Sequence, residues 1–204
     1  MAGRAVAKER QAGWLLKPVA RLVAMDEAAA REALAEIALA AREEDLDRLA
    51  DFLAAKSDAQ TFLAAVFDLS PFLRDVARRR PTILDALFDH TVEARLAELG
   101  AAIEAVSRAD GASEAGVMMG LRQLKSEAHF LIALSDLAGE AEPAATVRRL
   151  SDLADACIRA AIDFLLRDAH QQGKLRLPDP EQPALQSGWI VLGMGKLGAH
   201  ELNF

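Results

Sequence analysis

The stretch SDAQTFLAAVFDLSP, residues 57–71, carries the starting signals of two consecutive helices. Ser57 and Gln60 form a capping box, which satisfies free backbone N–H groups at a helix start. Apolar residues then recur at i, i+3, i+4 and i+7, the spacing of one helix face. Ser70 and Pro71 combine an N-cap with proline at the first helical position. This stretch therefore predicts one helix after Ser57 and a second helix directly after Ser70.

Similar signals extend in both directions and predict a helical bundle over residues 1–172, which we interpret as helical throughout. Short connections between six to eight helices are typical of such a bundle. After residue 71, Arg80 before Pro81 predicts a break, and a helix follows from about Thr82 to Leu99 that Gly100 interrupts or ends. A long helix is predicted over 113–138, with Gly139 as its C-cap. The last helix is predicted to begin at Pro143 and to stop at Gly173.

The character of the sequence changes after residue 172. Residues 173–187 contain three prolines and few apolar residues, which predicts a linker. Residues 188–204 begin with WIVL at 189–192, a pattern typical of a buried strand. Because a strand is not stable alone, its sheet partners are expected after Phe204 or in another chain. We therefore expect a truncated second domain to start at residue 188.

Composition and charge restrict the function. Hydrophobic residues make up 52% of the chain, enough for a core, and the net charge of −7 argues against nucleic-acid binding. The N-terminus has no unbroken apolar segment of a secretory signal, and no run of about 18 apolar residues could cross a membrane. We expect a cytoplasmic protein. Cys157, the single cysteine, is expected to be a buried, unreactive thiol.

Three glycines follow the predicted strand at i, i+2 and i+5: Gly193, Gly195 and Gly198. This spacing matches the dinucleotide-binding fingerprint, which also requires a helix, a second strand and an acidic residue about 20 positions later. A P-loop is excluded because Leu197 follows Lys196, where Ser or Thr must bind magnesium. The simplest alternative is a turn whose glycines serve backbone geometry alone.

The longer string VLGMGKLGAHELNF, residues 191–204, resembles the signature of the glutamine synthetase adenylyltransferase family of bifunctional adenylyl-transferring and adenylyl-removing enzymes. That pattern is a strand, G-M-G-K-L-G, two variable positions, E-L-N, an aromatic residue, a serine pair and Asp-x-Asp. Ala199 stands where many members have glycine. The resemblance extends more loosely over residues 60–204. The matching residues are Gly193, Met194, Gly195, Lys196, Leu197, Gly198, Glu201, Leu202, Asn203 and Phe204.

The resemblance implies a mainly α fold in which a helical bundle leads into the first strand and glycine turn of a polymerase-β-like nucleotidyltransferase domain of α+β type. In that family the turn holds phosphates of ATP or ADP, and the Asp-x-Asp binds two Mg²⁺ ions. Catalytic and metal-binding residues are then expected after Phe204, with none in this chain, which alone is expected to be inactive. The cofactor-binding residues implied here are Gly193, Gly195, Lys196, Gly198 and Ala199.

A helical preamble directly before the signature resembles the first half of the family's long chain. That half removes AMP from a tyrosine of glutamine synthetase with phosphate and yields ADP, whereas the second half adds AMP from ATP. The implied partners are glutamine synthetase and PII signalling proteins, and the implied process is regulation of nitrogen metabolism. A different class of function stays open, in which the chain is a helical interaction module and its terminal strand pairs with a partner.

One polar stripe on the long helix is a further candidate. Arg122, Lys125, His129 and Asp136 fall within about 60° of one another on a helix of 100° per residue. The stripe could face nucleotide or substrate, with its basic residues neutralising phosphate. The alternative is a solvated face that lies opposite the leucine stripe and forms ion pairs with neighbouring helices. The sequence does not decide between these two interpretations.

Overall fold

A computed structural model of the chain describes residues 14–19, 21–109 and 111–204. The prediction of a mainly helical fold is confirmed. A 3₁₀ turn, Ala86–Phe88, lies between the fifth and sixth helices. The helices are α1 (Glu27–Glu43), α2 (Asp47–Ala54), α3 (Asp58–Leu69), α4 (Pro71–Arg79), α5 (Thr82–Asp85), α6 (Val92–Val106), α7 (Glu114–Ala138), α8 (Pro143–Gln171) and α9 (Gly195–Gly198).

The residues predicted to cap helices lie where these helices begin and end. The Ser57 hydroxyl accepts a hydrogen bond from the backbone N–H of Gln60 at 3.1 Å, at the start of α3. Ser70 accepts from the N–H of Leu73 at 3.3 Å, with proline in the first turn of α4. At the end of α7, Gly139 has a φ of +74°, a conformation that glycine adopts without steric cost.

Residues 14–19 and 21–26 correct the prediction of continuous helix, since they form an extended strap across the bundle. The N–H of Leu15 donates to the carbonyl of Leu87 at 2.9 Å, and the N–H of Val19 donates to that of Ala138 at 2.8 Å. Leu16 is buried between these two contacts. Pro18 is one physical reason for the extended conformation, because a residue that precedes proline is disfavoured in the helical region.

The helix predicted from about Thr82 to Leu99 is also wrong as a single element. It is divided into α5, the 3₁₀ turn and α6, and α6 begins afresh where the Thr91 hydroxyl accepts from the N–H of Ala94 at 3.2 Å. Gly100, expected to interrupt or end a helix, lies inside α6. A serine or threonine cap competes effectively with continued helix because it supplies an acceptor for free N–H groups.

The core surrounds the middle of α7. All six residues from 130 to 135 are buried, so this part of α7 has no solvent-facing side. A helix buried on all sides is a central element, and α7 packs against α3, α4, α6 and α8. The bundle is therefore organised around one helix, and α8 lies antiparallel to it after the short 139–142 connection.

The strand predicted at 189–192 is not formed, and the described part of the chain contains no strand. The side chains of Trp189, Ile190 and Leu192 are 67%, 79% and 79% exposed. The physical reason is the one that the sequence already indicated: a strand needs a neighbour for its backbone N–H and C=O groups. Residues 173–187 form turns that bury Leu177 and Pro183. The division at 172 and 187 stays a prediction.

None of the helices in the described ranges combines the length and the apolar composition that crossing a bilayer requires.

A buried carboxylate joins three helices beside the core. Glu127 of α7 is 3% exposed and bonds both Arg80, at the end of α4, and Arg95 of α6. Arg80 Nη2 lies 2.7 Å from Glu127 Oε2, and Arg95 Nη2 lies 2.6 Å from Oε1. Arg80 also donates to the carbonyl of Gln123 at 2.9 Å. A carboxylate is tolerated at this depth because two guanidinium groups neutralise and bond it.

We expect Glu127→Ala to destabilise the bundle by about 2–3 kcal/mol, because it leaves two partly buried arginines without their acceptor. Urea unfolding followed by circular dichroism measures the change. Glu98→Ala is the matched control, since it removes an exposed partner of the same Arg95 and should cost a small fraction of that. Equal effects of the two substitutions would contradict the importance of burial.

Candidate functional site

The three glycines form a tight turn followed by one turn of helix. Met194 precedes α9 in an extended conformation, and Gly195 has a φ of +58°, the left-handed region that favours glycine. The N–H of Ala199 donates to the carbonyl of Gly195 at 3.0 Å and closes the turn. The chain then leaves the helix through His200, which has a φ of +55°. The glycine turn, residues 193–199, is therefore a defined backbone structure.

Glycine is required at position 198, where the turn folds back onto the backbone of Gly193. A Cβ atom added at Gly198 would lie 2.5 Å from the carbonyl oxygen of Gly193 and 3.0 Å from its carbon. Backbone cannot give way as the tip of a side chain can, so any residue other than glycine at 198 displaces the turn. Gly198 consequently has a packing role that needs no ligand, whatever else it contacts.

Lys196 is the cationic side chain of the turn, and it is exposed. Its Nζ atom donates to Asn203 Oδ1 at 2.9 Å, which links the turn to the last residues of the chain. An ammonium group has three N–H donors, so this bond leaves two for another acceptor. Lys196, the three glycines and Ala199 share one turn that is open to solvent, and their binding of a phosphate or nucleotide stays a prediction.

Residues 202–204 are docked on the helical bundle. The N–H of Leu202 donates to the buried hydroxyl of Ser151 on α8 at 3.2 Å, and the Leu202 side chain packs against the core. The Phe204 ring stacks on the ring of His129 with 5.2 Å between centroids and 26° between planes. Phe72 of α4 contacts the same imidazole edge-on at 5.8 Å. The signature therefore ends in direct contact with α7 and α8.

The polar stripe on α7 is divided among different environments. Arg122 and Lys125 are exposed, as the interpretation of a solvated face expects. Asp136 accepts a hydrogen bond from Thr146 at 2.7 Å, which joins the end of α7 to the beginning of α8. His129 is half-buried against Phe204, and burial lowers the pKa of His129, with a smaller contribution from the charge of Lys125. His129 contacts the signature through Phe204.

Sequence reasoning missed Ser151 and Glu127. Glu127 falls at i+3 from Leu124 and i−4 from Leu131, so its spacing on the apolar stripe was a usable signal of burial. Ser151 has no comparable signal, because its partner Leu202 lies 51 positions later in the chain. A hydrogen bond between such distant residues leaves no local pattern in the sequence.

In the described ranges, no group of three or more His, Cys, Asp or Glu residues could hold a metal ion. Glu201 is the first acidic residue after the turn in the sequence, and it is exposed. Its backbone N–H donates to the carbonyl of Lys196 at 2.7 Å. Cys157, expected to be buried, is half-buried; burial raises the pKa of its thiol, which keeps the group protonated and poorly nucleophilic.

Comparison with known proteins finds relatives along almost the whole chain. The model of the family described as glutamate-ammonia ligase adenylyltransferase matches residues 60–204. A bifunctional glutamine synthetase adenylyltransferase/adenylyl-removing enzyme of Mesorhizobium japonicum is 70% identical over 200 residues, which cover 98% of this chain and 20% of that protein. No solved structure matches the chain.

More distant relatives carry the same description. The protein of Brucella suis is 46% identical over 183 residues, which are 90% of this chain and 18% of the relative. The protein of Bartonella quintana is 40% identical over 171 residues, or 84% of this chain and 18% of the relative. The chain thus spans about a fifth of the length of the curated relatives that it matches. With the family model covering more than half of its residues, the chain belongs to the glutamate-ammonia ligase adenylyltransferase family.

Proposed function

We propose that this chain is the N-terminal part of a bifunctional glutamine synthetase adenylyltransferase/adenylyl-removing enzyme, and that it belongs to the adenylyl-removing half. The observation that carries the proposal is the 70% identity to such an enzyme across 98% of the chain, signature included. The helical bundle that leads into the signature supports the choice of the first half. Glutamine synthetase is the protein substrate, PII signalling proteins are regulatory partners, and the compartment is the cytoplasm.

In this proposal the glycine turn holds phosphate groups. Gly195, with its positive φ, has open space where a Cβ would be, so an anion can approach the backbone there. Lys196 supplies a positive charge with two free donors beside the backbone N–H groups of the turn. These features fit a phosphate oxygen of inorganic phosphate or of a nucleotide. They also give the turn a function that the packing of Gly193 and Gly198 alone does not explain.

The reaction proposed for this half is a phosphorolysis. An oxygen of inorganic phosphate attacks the phosphorus of the AMP group, the bond from that phosphorus to the tyrosine oxygen breaks, and ADP and a free tyrosine hydroxyl result. Atoms and charge balance without any oxidant or reductant. The contribution of this chain is to hold phosphate in line for the attack, because positioning is much of the catalysis of phosphoryl transfer.

Magnesium does not fit the residues of this chain alone. After Gly198 the sequence offers one carboxylate, Glu201, whereas two Mg²⁺ ions need several carboxylate oxygens. The Asp-x-Asp that follows the signature in the family pattern is the expected source. When bound, the two ions would stabilise the attacking and leaving oxygens.

The alternative function, a helical interaction module, is favoured by one observation. The apolar residues at 189–192 are exposed and would have to be covered by another segment. The remainder of a nucleotidyltransferase sheet and a separate partner chain are both able to cover them. The dinucleotide-binding alternative receives no such support, because α9 ends after one turn at Gly198 instead of continuing as a crossover helix.

We predict that the 204-residue chain alone neither adds nor removes AMP, because it lacks the carboxylates that would hold the metal ions. The assay incubates the purified chain with adenylylated glutamine synthetase, phosphate and magnesium and measures ADP. The full-length protein that contains the chain serves as the positive control. ADP formed at a comparable rate by the chain alone would show that the catalytic residues have been misplaced.

In the full-length protein, we expect Lys196→Ala to raise the KM for phosphate about tenfold in the adenylyl-removing reaction, the scale of one lost charged hydrogen bond. Lys196→Arg keeps the charge, so its KM for phosphate should lie between that of Lys196→Ala and that of the native protein. Lys174→Ala removes another exposed lysine of the same region and should have no effect. An unchanged KM in Lys196→Ala would refute the proposed phosphate contact.

Gly198→Ala should abolish the adenylyl-removing activity while the helical content stays intact, because the new Cβ meets the carbonyl of Gly193 and displaces the turn. Activity and circular dichroism of the full-length protein measure the two quantities. Gly100→Ala is the matched control, since that glycine lies within α6 with open space where the Cβ would be. It should be neutral or stabilising by about 0.5–1 kcal/mol. A fully active Gly198→Ala protein would mean that the turn geometry is irrelevant to the reaction.

A further inference from the structure

The last residues of the signature alternate between two targets. Leu202 and Phe204 contact the helical bundle, whereas Asn203 between them bonds Lys196 of the glycine turn. In an extended segment, successive side chains point in opposite directions. Residues 202–204 therefore form a bridge with the bundle on one side and the turn on the other.

Ser151 fixes the bridge at the backbone. Its side chain is fully buried in α8, and its hydroxyl donates to the carbonyl of Val147 at 2.9 Å. Serines inside helices commonly make this bond to the preceding turn. The oxygen then accepts from the N–H of Leu202 at 3.2 Å. The Ser151 hydroxyl thus acts both as a donor and as an acceptor. Because its donor bond fixes the orientation of the hydroxyl, it holds the backbone of Leu202 in a defined direction and at a defined distance.

His129 fixes the other end of the bridge. Its ring stacks on Phe204 and meets Phe72 edge-on, and both contacts need a flat ring in one orientation. Burial, with the nearby charge of Lys125, lowers the pKa of His129 and so favours the neutral imidazole at this position. A neutral ring contacts these two aromatic side chains without the cost of burying a charge.

From these contacts we propose that the helical bundle positions the Lys196 ammonium: Ser151 and His129 anchor residues 202–204, and Asn203 holds Lys196 beside the glycine turn. The inference rests on the proposed role of Lys196 as a phosphate contact and assigns Ser151 and His129 as positioning residues. A lysine side chain loses rotamer freedom when it binds an anion. Holding it in place beforehand removes part of that cost and favours binding.

The test measures the KM for inorganic phosphate and kcat in the full-length protein. Ser151→Ala and His129→Ala should each raise the KM about three- to tenfold and leave kcat within about twofold. This is the range of one lost hydrogen bond for Ser151 and of one lost aromatic contact for His129. Ser151→Thr keeps the hydroxyl, and His129→Phe keeps a flat ring. Both conservative variants should restore most of the native KM. The melting temperature of each variant is measured alongside, so that an unfolded protein is recognised.

A double variant that combines Ser151→Ala with Lys196→Ala distinguishes a positioning effect on Lys196 from a general loss of stability. Because Ser151 acts through Lys196, the double variant Ser151→Ala/Lys196→Ala should have the same KM as Lys196→Ala alone. Two independent effects would instead multiply. The matched control is Ser107→Ala, which removes another buried serine hydroxyl that bonds a carbonyl of its own helix, at 3.1 Å to Glu104. This substitution should leave the KM unchanged.

The outcomes distinguish the two levels of the proposal. If Lys196→Ala raises the KM but Ser151→Ala and His129→Ala do not, the bundle does not position Lys196 and the positioning role fails alone. A multiplied effect in the double variant, or a KM change in Ser107→Ala as large as that in Ser151→Ala, would also overturn it. If Lys196→Ala leaves the KM unchanged, the proposed phosphate contact itself fails.

Discussion

The burial of the middle of α7 is the constraint on which the rest of the structure depends. Since residues 130–135 have no solvent-facing side, helices must cover this segment from every direction. One turn earlier, the same burial takes in Glu127, and a carboxylate there is stable only because Arg80 and Arg95 reach it from α4 and α6. His129, directly before the buried segment, lies at the border of the core and offers a flat apolar surface to Phe204. Packing, internal charge and the contact with the signature all originate in one stretch of helix.

Local signals allowed much of the helical part to be predicted. Ser57, Ser70 and Gly139 act at helix ends through hydrogen bonds or backbone angles within four residues, so a short window of sequence contains all the information. The extended strap at 14–19 and 21–26 could not be predicted in this way. Its backbone bonds run to Leu87 and Ala138, and its conformation is decided by residues far away in the chain. The strand predicted at 189–192 has the composition of a strand but no described neighbour to pair with.

The candidate site shows the same division. The three glycines and Lys196 could be identified because the turn is made of consecutive residues with a recognisable spacing. Why glycine is needed at 195 and 198 became clear only from the geometry, which gives Gly195 a positive φ and brings Gly198 against the carbonyl of Gly193. The link from Lys196 through Asn203 to the bundle was not predictable. It combines a hydrogen bond between residues seven positions apart, Lys196 and Asn203, with one between residues 51 positions apart, Ser151 and Leu202. Family resemblance located the turn, and side-chain contacts connect it to the helices.

The strap also determines when the fold can be completed during synthesis. The N–H of Lys17 bonds the side chain of Glu140, which lies 123 positions later. At about 5–20 residues per second, the ribosome needs roughly 6–25 s to add those residues. Throughout that interval the end of α7, where Ala138 accepts a hydrogen bond from Val19, has not been made. Leu16 therefore cannot yet be buried as it is in the finished fold. A segment made before the helices is therefore among the last to reach its final place, and a nascent chain must keep an apolar residue soluble until α7 has been made.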